Sequence, residues 1–358
     1  MKILMIAILI GIIGIMSIYS STYQNQIRLW RMQIIWLFLG IVSFLFFLHY
    51  DYRRFWDITY FLYVAVIILL WLVLILGSVR LGAQRWLRVA WFNLQPSELA
   101  KLIIVIFLSR YFSKKSALDI GLLSSKFGIL RAIVIPFLFV AFPVGLIIEQ
   151  PDLGSGVIMI VIFLGMLYLA DIRLKYIFIF LFLIIFSLPF CWHFLRDYQK
   201  ARLMVFLNPN ADPLGAGYTL LQSKIAIGSG GFWGRGWLLG TQSQLRFLPE
   251  SHTDFIFATF AEERGLLGSV ALLILYYFLI REGLLIAQRT QEQFGRLLAG
   301  GISFMLGIQV SINIAMTMGL VPIVGLPLPL FSYGGSSMVV TFIALGILAN
   351  IEKRRAVF

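Results

Sequence analysis

QLRFLPESHTDFIFATFAEE, residues 244–263, decides how the rest of the chain is read. Its first half carries Arg246, Glu250, His252 and Asp254. Its second half turns apolar and continues, past Glu262 and Glu263, into GLLGSVALLILYYFLI at 265–280. An ionisable cluster is thus set at the mouth of a segment long enough to cross a bilayer, where charge is costly and usually functional.

Outward from that stretch the apolar character continues. Of 358 residues 60% are apolar and only 13% charged, with mean hydropathy +0.93, a balance that a globular surface cannot cover. Crossing about 30 Å of hydrocarbon takes about 20 apolar residues. Spans are expected near 3–20, 32–49, 57–76, 97–113, 131–149, 153–170, 174–194, 254–280, 296–318 and 331–350. The fold class is therefore an all-α polytopic integral membrane protein of about ten transmembrane helices. No low-complexity linker divides it, so 1–358 reads as a single transmembrane domain, with a large extracytoplasmic loop at 195–253.

Lys and Arg in short loops mark the cytoplasmic side. Arg53 and Arg54, then Arg110, Lys114, Lys115, Lys126 and Arg131, then Arg173 and Lys175, then Arg281, Arg289 and Arg296, then Lys353 to Arg355 all fall on one side of the ten-span arrangement. Both termini are expected inside, and the loops at 77–95, 150–152, 195–253 and 319–330 outside. The net charge of +13 is scattered over these loops, which speaks for anionic lipid headgroups and against nucleic acid. Residues 1–20 read as an uncleaved first span, because the apolar run is longer than a signal core. Cys191 is the only cysteine, excluding an internal disulfide, and His49, His193 and His252 lack metal-ligand spacing. The two halves show no matching pair of Gly/Pro-broken helices of the kind that marks inverted-repeat transporters.

The outer loops hold the candidate chemistry. Lys200 and Arg202 precede the turn-rich NPNADPLGAGY at 208–218, and LQSKIAIGSGG at 221–231 brings Lys224 and a run of glycines. Such glycines make either a flexible loop or a backbone that approaches an anion closely, and no nucleotide-binding fingerprint accompanies them. QPSELAK at 95–101 opens the fourth span with Glu98 and Lys101 at i,i+3, either an ion pair for bundle packing or the lining of a wet cavity. VRLGAQRWLRVAWF at 79–92 interleaves cations with aromatics, either as an interfacial anchor or as a platform for a lipid diphosphate or sugar. Asp152, in QPDLG at 150–154, either caps the next helix or serves substrate.

Taken together, GAQRW with QPSE, QPDLG, the Asn-Pro, Asp-Pro and Gly-Tyr pairs, AIGSGG, FLPESHTDFIFA at 247–258 and PLP before SYGGSS at 332–337 resemble the shape, elongation, division and sporulation (SEDS) proteins. The order and spacing match from about residue 80 to about 350. Within that family, GTQSQL at 240–245 and the absence of long tails are more like the RodA branch. The resemblance implies a glycosyltransferase that polymerises lipid II into peptidoglycan at the outer face of the bacterial inner membrane during elongation. Its implied partners are lipid II, undecaprenyl-diphosphate-linked glycan, a class B penicillin-binding protein and other elongation-complex proteins.

Making a β-1,4 bond from an α-linked diphosphate donor is an inversion, which one displacement accomplishes with one general base. A diphosphate leaves without protonation if cations hold its charge, unlike the alkoxide that obliges glycosidases to use two carboxylates. The resemblance puts Asp254 in the base's position, where partial burial would raise its pKa; the residue pattern alone equally allows a helix-dipole aspartate. Arg202 and Lys224 are candidates to hold the diphosphate, Arg85 and Trp86 to position lipid-linked sugar, and Glu98 and Lys101 to line the family's central cavity. A divalent cation (Mg or Mn) bridging diphosphate to Asp152 or Asp254 is expected, with ligands the sequence does not identify and with no nucleotide or organic cofactor. A lipid II flippase and a non-catalytic scaffold for cell-wall enzymes are the rival readings.

Overall fold

The computed structural model describes residues 2–23, 27–80, 83–89, 92–116, 130–194, 197–208, 212 and 215–354. Gly82, Trp91, Lys126 and most of the Asn-Pro/Asp-Pro turn lie outside them. The helices are α1 (Lys2–Thr22), α2 (Ile27–His49), α3 (Arg54–Leu76), α4 (Pro96–Ser116), α5 (Ile135–Glu149), α6 (Leu153–Leu169), α7 (Leu174–Phe194), α8 (Asp197–Leu207), α9 (Ala216–Gly230), α10 (Thr241–Gln244), α11 (Ile256–Arg289), α12 (Gln293–Thr317) and α13 (Gly335–Arg354). Each of the ten expected spans coincides with one of these helices, the fifth entering α5 through a π-helical turn at Leu130–Val134.

Among the described residues seven helices are long and apolar enough to cross a membrane, namely α1, α2, α3, α5, α11, α12 and α13. Two more, α6 and the Leu174–Ser187 part of α7, are apolar but shorter. The remaining one, α4, carries Glu98, Lys101 and Arg110 inside its run.

Two features depart from the sequence reading. The 77–95 loop is a three-stranded antiparallel sheet, with β1 (Ser78–Arg80), β2 (Ala83–Val89) and β3 (Phe92–Leu94) in the order β1-β2-β3. Trp86 faces Ser78 and Leu87 faces Leu94 in its registers. The 195–253 loop, whose 208–218 stretch reads as turns, holds helices α8, α9 and α10.

The chain forms two compact units. One comprises Met1–Leu39, Phe186–Leu279 and Gln309–Gly334, the other Gly40–Ile185, Ile280–Ile308 and Gly335–Phe358. In the second unit Val66, Leu70 and Val73 of α3, Ile104 and Leu108 of α4 and Ile158, Ile162 and Phe163 of α6 are fully enclosed. Gln150, at the end of α5, donates its amide to the Leu70 carbonyl at 2.8 Å. At another corner of this unit Asn350 accepts from the Tyr52 N–H at 3.0 Å and donates to the Leu48 carbonyl at 2.8 Å. Arg354 closes that corner on Asp51 at 2.9 Å.

In the first unit α11 is broken at Gly265, where φ 65° and ψ −161° interrupt the helical ladder. Such a break frees backbone groups that must find partners away from water. The segment after α9 supplies them. Arg235 and Gly236 donate their N–H groups to the Glu262 and Glu263 carbonyls at 2.9 and 3.0 Å, while Leu266 and Leu267 donate to the Gly231 and Phe232 carbonyls at 2.9 and 3.2 Å. Gly234 makes this approach possible. Its φ is 85°, and a Cβ there would lie 2.2 Å from the Glu263 carbonyl oxygen. The glycine run is therefore a fitted splint over a helix break, a third arrangement beside the flexible loop and the anion cradle.

Candidate functional site

The turn before α11 is fixed from both sides by backbone and lone polar side chains of its own unit. Glu250 accepts from the Thr253 and Phe255 N–H groups at 3.1 and 3.3 Å, and its carboxylate accepts from the Thr253 hydroxyl at 2.8 Å. The loop before α13 grips the same turn. Ser332 donates its hydroxyl to the Thr253 carbonyl at 2.6 Å, and the Tyr333 N–H donates to the His252 carbonyl at 3.0 Å. Gln33 of α2 holds that loop in turn, donating to the Ser332 carbonyl at 3.0 Å and accepting from the Gly334 N–H at 3.2 Å. Asn313 of α12 donates to the Asp254 carbonyl at 3.1 Å and also to that of Leu326.

Asp254 thus stands half-exposed on a rigid pedestal one residue before Phe255 and the buried first turn of α11. The position gives its carboxylate the positive end of the helix dipole, and its main chain cannot drift. His252 beside it is pushed below the ordinary imidazole range by burial, with Glu250 pulling partly the other way, so the ring is neutral at pH 7. A cavity of about 530 Å³ opens at this turn, lined among others by Ser21, Thr22, Gln244, Arg246, Glu250 and His252.

Two turns into α11, Glu262 and Glu263 are buried. Glu262 accepts from the Thr241 hydroxyl at 3.0 Å and the Gln242 N–H at 3.2 Å, and Glu263 accepts from the Ser20 hydroxyl and the Leu238 backbone. Arg264 is exposed and makes no ion pair with either glutamate among the described residues. The acidic pair is thereby what pins α1, α10 and the glycine splint to α11.

Of the other expected residues in this unit, Arg202 lies half-exposed on α8 and Lys224 exposed on α9. Lys224 runs over Gly319, where φ is 73° and a Cβ would meet the lysine Cε at 2.2 Å.

The remaining candidates lie in the second unit and form two groups. Glu98 and Lys101 pair at 2.8 Å and are 4% and 1% exposed, an ion pair closed inside the helices of its own unit. Asp152 caps α6, accepting from the Ser155 N–H at 3.2 Å, the Ser155 hydroxyl at 2.9 Å and the Ser97 hydroxyl at 3.3 Å. Arg85 reaches the same carboxylate at 3.7 Å and donates to the Pro151 carbonyl, while its Nε is buried without a partner. Arg85 is thereby held to the turn that starts α6. Trp86 is half-buried in β2, its carbonyl accepting from Ser78 at 3.3 Å.

Sequence reasoning passed over Gln33 and Asn313, the residues that make the pedestal. Their signal was present in part: each is an amide inside a mostly apolar span, Asn313 sharing its helix with Gln309, and polar residues in such spans are functional or structural by default.

Comparison with known proteins bears on this arrangement. The model of the FtsW/RodA/SpoVE family, described as cell cycle protein, matches residues 1–356. The peptidoglycan glycosyltransferase MrdB of Escherichia coli K12 is 46% identical over 297 residues, 82% of this chain and 78% of that protein. The peptidoglycan glycosyltransferase RodA of Treponema pallidum is 32% identical over 96% of this chain and 95% of its own length. Among solved structures, a chain of a peptidoglycan synthase complex that coordinates polymerization and crosslinking superimposes with a TM-score of 0.83 at 28% identity, covering 99% of this chain and 97% of that one. The rod shape determining protein RodA of Thermus thermophilus superimposes with a TM-score of 0.72 at 26% identity, covering 99% and 96%. With the family's model matching almost end to end and the fold shared over the whole length, this multi-pass membrane protein belongs to the FtsW/RodA/SpoVE family.

Proposed function

We propose that the chain is a peptidoglycan glycosyltransferase that polymerises lipid II at the outer face of the bacterial inner membrane during cell elongation, with Asp254 as general base. The observation that carries the assignment of the base is the pedestal: Asn313, Ser332 and Tyr333 fix the backbone on either side of a half-exposed carboxylate. A general base must be held where the proton will be, and a rigid mount supplies that positioning.

The step balances with one carboxylate. The acceptor's 4-hydroxyl oxygen attacks the donor's anomeric carbon, the new C–O bond forms on the β face, and the α C–O bond to diphosphate breaks. The hydroxyl proton passes to Asp254, and the bond's electron pair leaves with the diphosphate. Arg202 and Lys224, on α8 and α9 of the same unit, stabilise the diphosphate charge as it develops. Arg85 and Trp86 belong to the other unit, where Asp152 and the Pro151 carbonyl already engage Arg85. Glu98 and Lys101 serve substrate only if their pair opens, since it is sealed as it stands.

Among the described residues no three metal-ligating side chains converge. A divalent cation would therefore take most of its oxygens from diphosphate and water, with a carboxylate such as Asp152 or Asp254 as protein ligand; bound there, it would neutralise leaving-group charge. A class B penicillin-binding protein is the proposed partner, supported by the likeness to a chain of a peptidoglycan synthase complex. The outer face is supported by the clustering of Lys and Arg in the opposite set of loops.

The test is glycan polymerisation from purified lipid II by the wild type and Asp254→Asn, each with its penicillin-binding partner and each checked for folding. Product from the wild type and none from the variant is expected. Unimpaired product from Asp254→Asn removes the aspartate as base, and none from either protein brings back the flippase and scaffold readings.

A further inference from the structure

We infer that the cavity on the N-terminal side of Asp254 binds the attacking saccharide, a neutral hydroxyl-rich acceptor, and not the diphosphate of the donor; this rests on the glycosyltransferase reading above. At about 530 Å³ it falls within the roughly 300–1,000 Å³ of small-molecule sites. Its lining is chiefly hydroxyl and amide, from Ser21, Thr22, Gln244 and Ser251, and its two charged members, Arg246 and Glu250, have opposite sign. A diphosphate site needs a surplus of cations or a helix N-terminus. A sugar needs many donors and acceptors with little net charge, and that is the composition present.

The cavity is built, not a gap in a loose loop. Gln244 donates to the Ser20 carbonyl at 2.8 Å, tying α10 to α1, and the Leu248 N–H donates to the Gln242 carbonyl at 3.1 Å. Leu248 is buried against Ala226, Phe255 and Ala258. Arg246 and Glu250 hold φ values of 59° and 51°. Non-glycine residues persist in that region only where the surroundings over-determine them, and such strain gathers at working sites. Two on one short loop, both lining one cavity, make the strain part of the wall. His252 adds one donor and one acceptor as a neutral ring, matched to a hydroxyl, and stands two residues from Asp254. An acceptor filling the cavity therefore reaches the turn that carries the base.

Arg246→Gly and Glu250→Gln test the site, the first because glycine tolerates the positive φ without strain. Steady-state polymerisation should show KM for lipid II raised about tenfold or more in each, with kcat changed far less, as loss of a hydrogen bond to a charged group entails. An independent reading uses saturation-transfer NMR with N,N′-diacetylchitobiose, a neutral β-1,4 disaccharide, on the intact protein in nanodiscs. Transfer is expected from the wild type and from Asp254→Asn, is lost in the Arg246→Gly/Glu250→Gln double variant, and survives added inorganic pyrophosphate. No transfer from the wild type, full transfer from the double variant, or displacement by pyrophosphate overturns the assignment. If the wild type fails to polymerise lipid II yet binds the disaccharide as described, the glycosyltransferase reading fails and the saccharide site stands.

Discussion

Glu98 with Lys101, and Glu262 with Glu263, are two pairs of ionisable side chains buried in this chain, and they are kept there in opposite ways. The first is a cation and an anion one turn apart on α4, joined at 2.8 Å. The second is two adjacent carboxyl groups on α11, with Arg235 only at 4.0 Å from Glu262. Hydroxyls and backbone N–H groups from α1, α10 and the segment after α9 supply the closer contacts. An ion pair on one helix needs no distant element to satisfy it. Two adjacent carboxyl groups need a scaffold, and here that scaffold is the polypeptide that also lines the cavity at the turn before α11.

Breaking the closed pair should have the larger effect. Lys101→Met leaves Glu98 buried without a counter-charge, which costs about 3–5 kcal/mol by the general behaviour of such pairs. Denaturant or thermal unfolding in detergent should show that loss, and Glu98→Gln/Lys101→Met should restore most of it. If the single and double variants are equally destabilised, the pair is not the self-contained unit that the comparison requires.

Glu262→Ala should be milder in stability and more local. It strands the Thr241 hydroxyl and the Gln242 N–H, a loss of about 1.5–3 kcal/mol for hydrogen bonds to a charged group. The segment 229–245 should become the first cleaved in limited proteolysis, while the sheet of the other unit keeps its protection. Equal cleavage in both units would mean that the glutamate supports the whole chain and not the splint.

The same contrast explains what the sequence disclosed. Ten helices were legible because apolar length is a one-dimensional property, and Glu98 with Lys101 because i,i+3 spacing fixes a contact within one helix. The splint was not. GGFWGRG at 230–236 pairs with a break at Gly265 some thirty residues on, and no local pattern relates a glycine to the carbonyl it must clear. The hairpin of 78–94 was hidden by its cations and tryptophans, which read as an interfacial anchor. Asp254 was proposed through motif likeness, whereas Gln33 and Asn313 act through backbone groups, a contact that leaves no complementary residue to search for.

His252 offers the finest test of the difference between the units. If the turn before α11 is held by hydroxyls and amides alone, its histidine must remain neutral, and burial lowers its pKa accordingly. The folded state then binds fewer protons than the unfolded chain, whose histidine titrates near about 6.5. This contribution to stability is complete above that pH and is lost as pH falls from there through the folded value, at no more than about 1.4 kcal/mol per pH unit for one proton. Thermal unfolding followed from pH 7.5 down to 5 should therefore slope more steeply in the wild type than in His252→Gln, which keeps a polar group and leaves the Tyr333 bond to the backbone untouched. Coincident slopes would mean that Glu250 offsets the burial, so that the turn tolerates an imidazolium and holds itself by charge, as the α4 pair does.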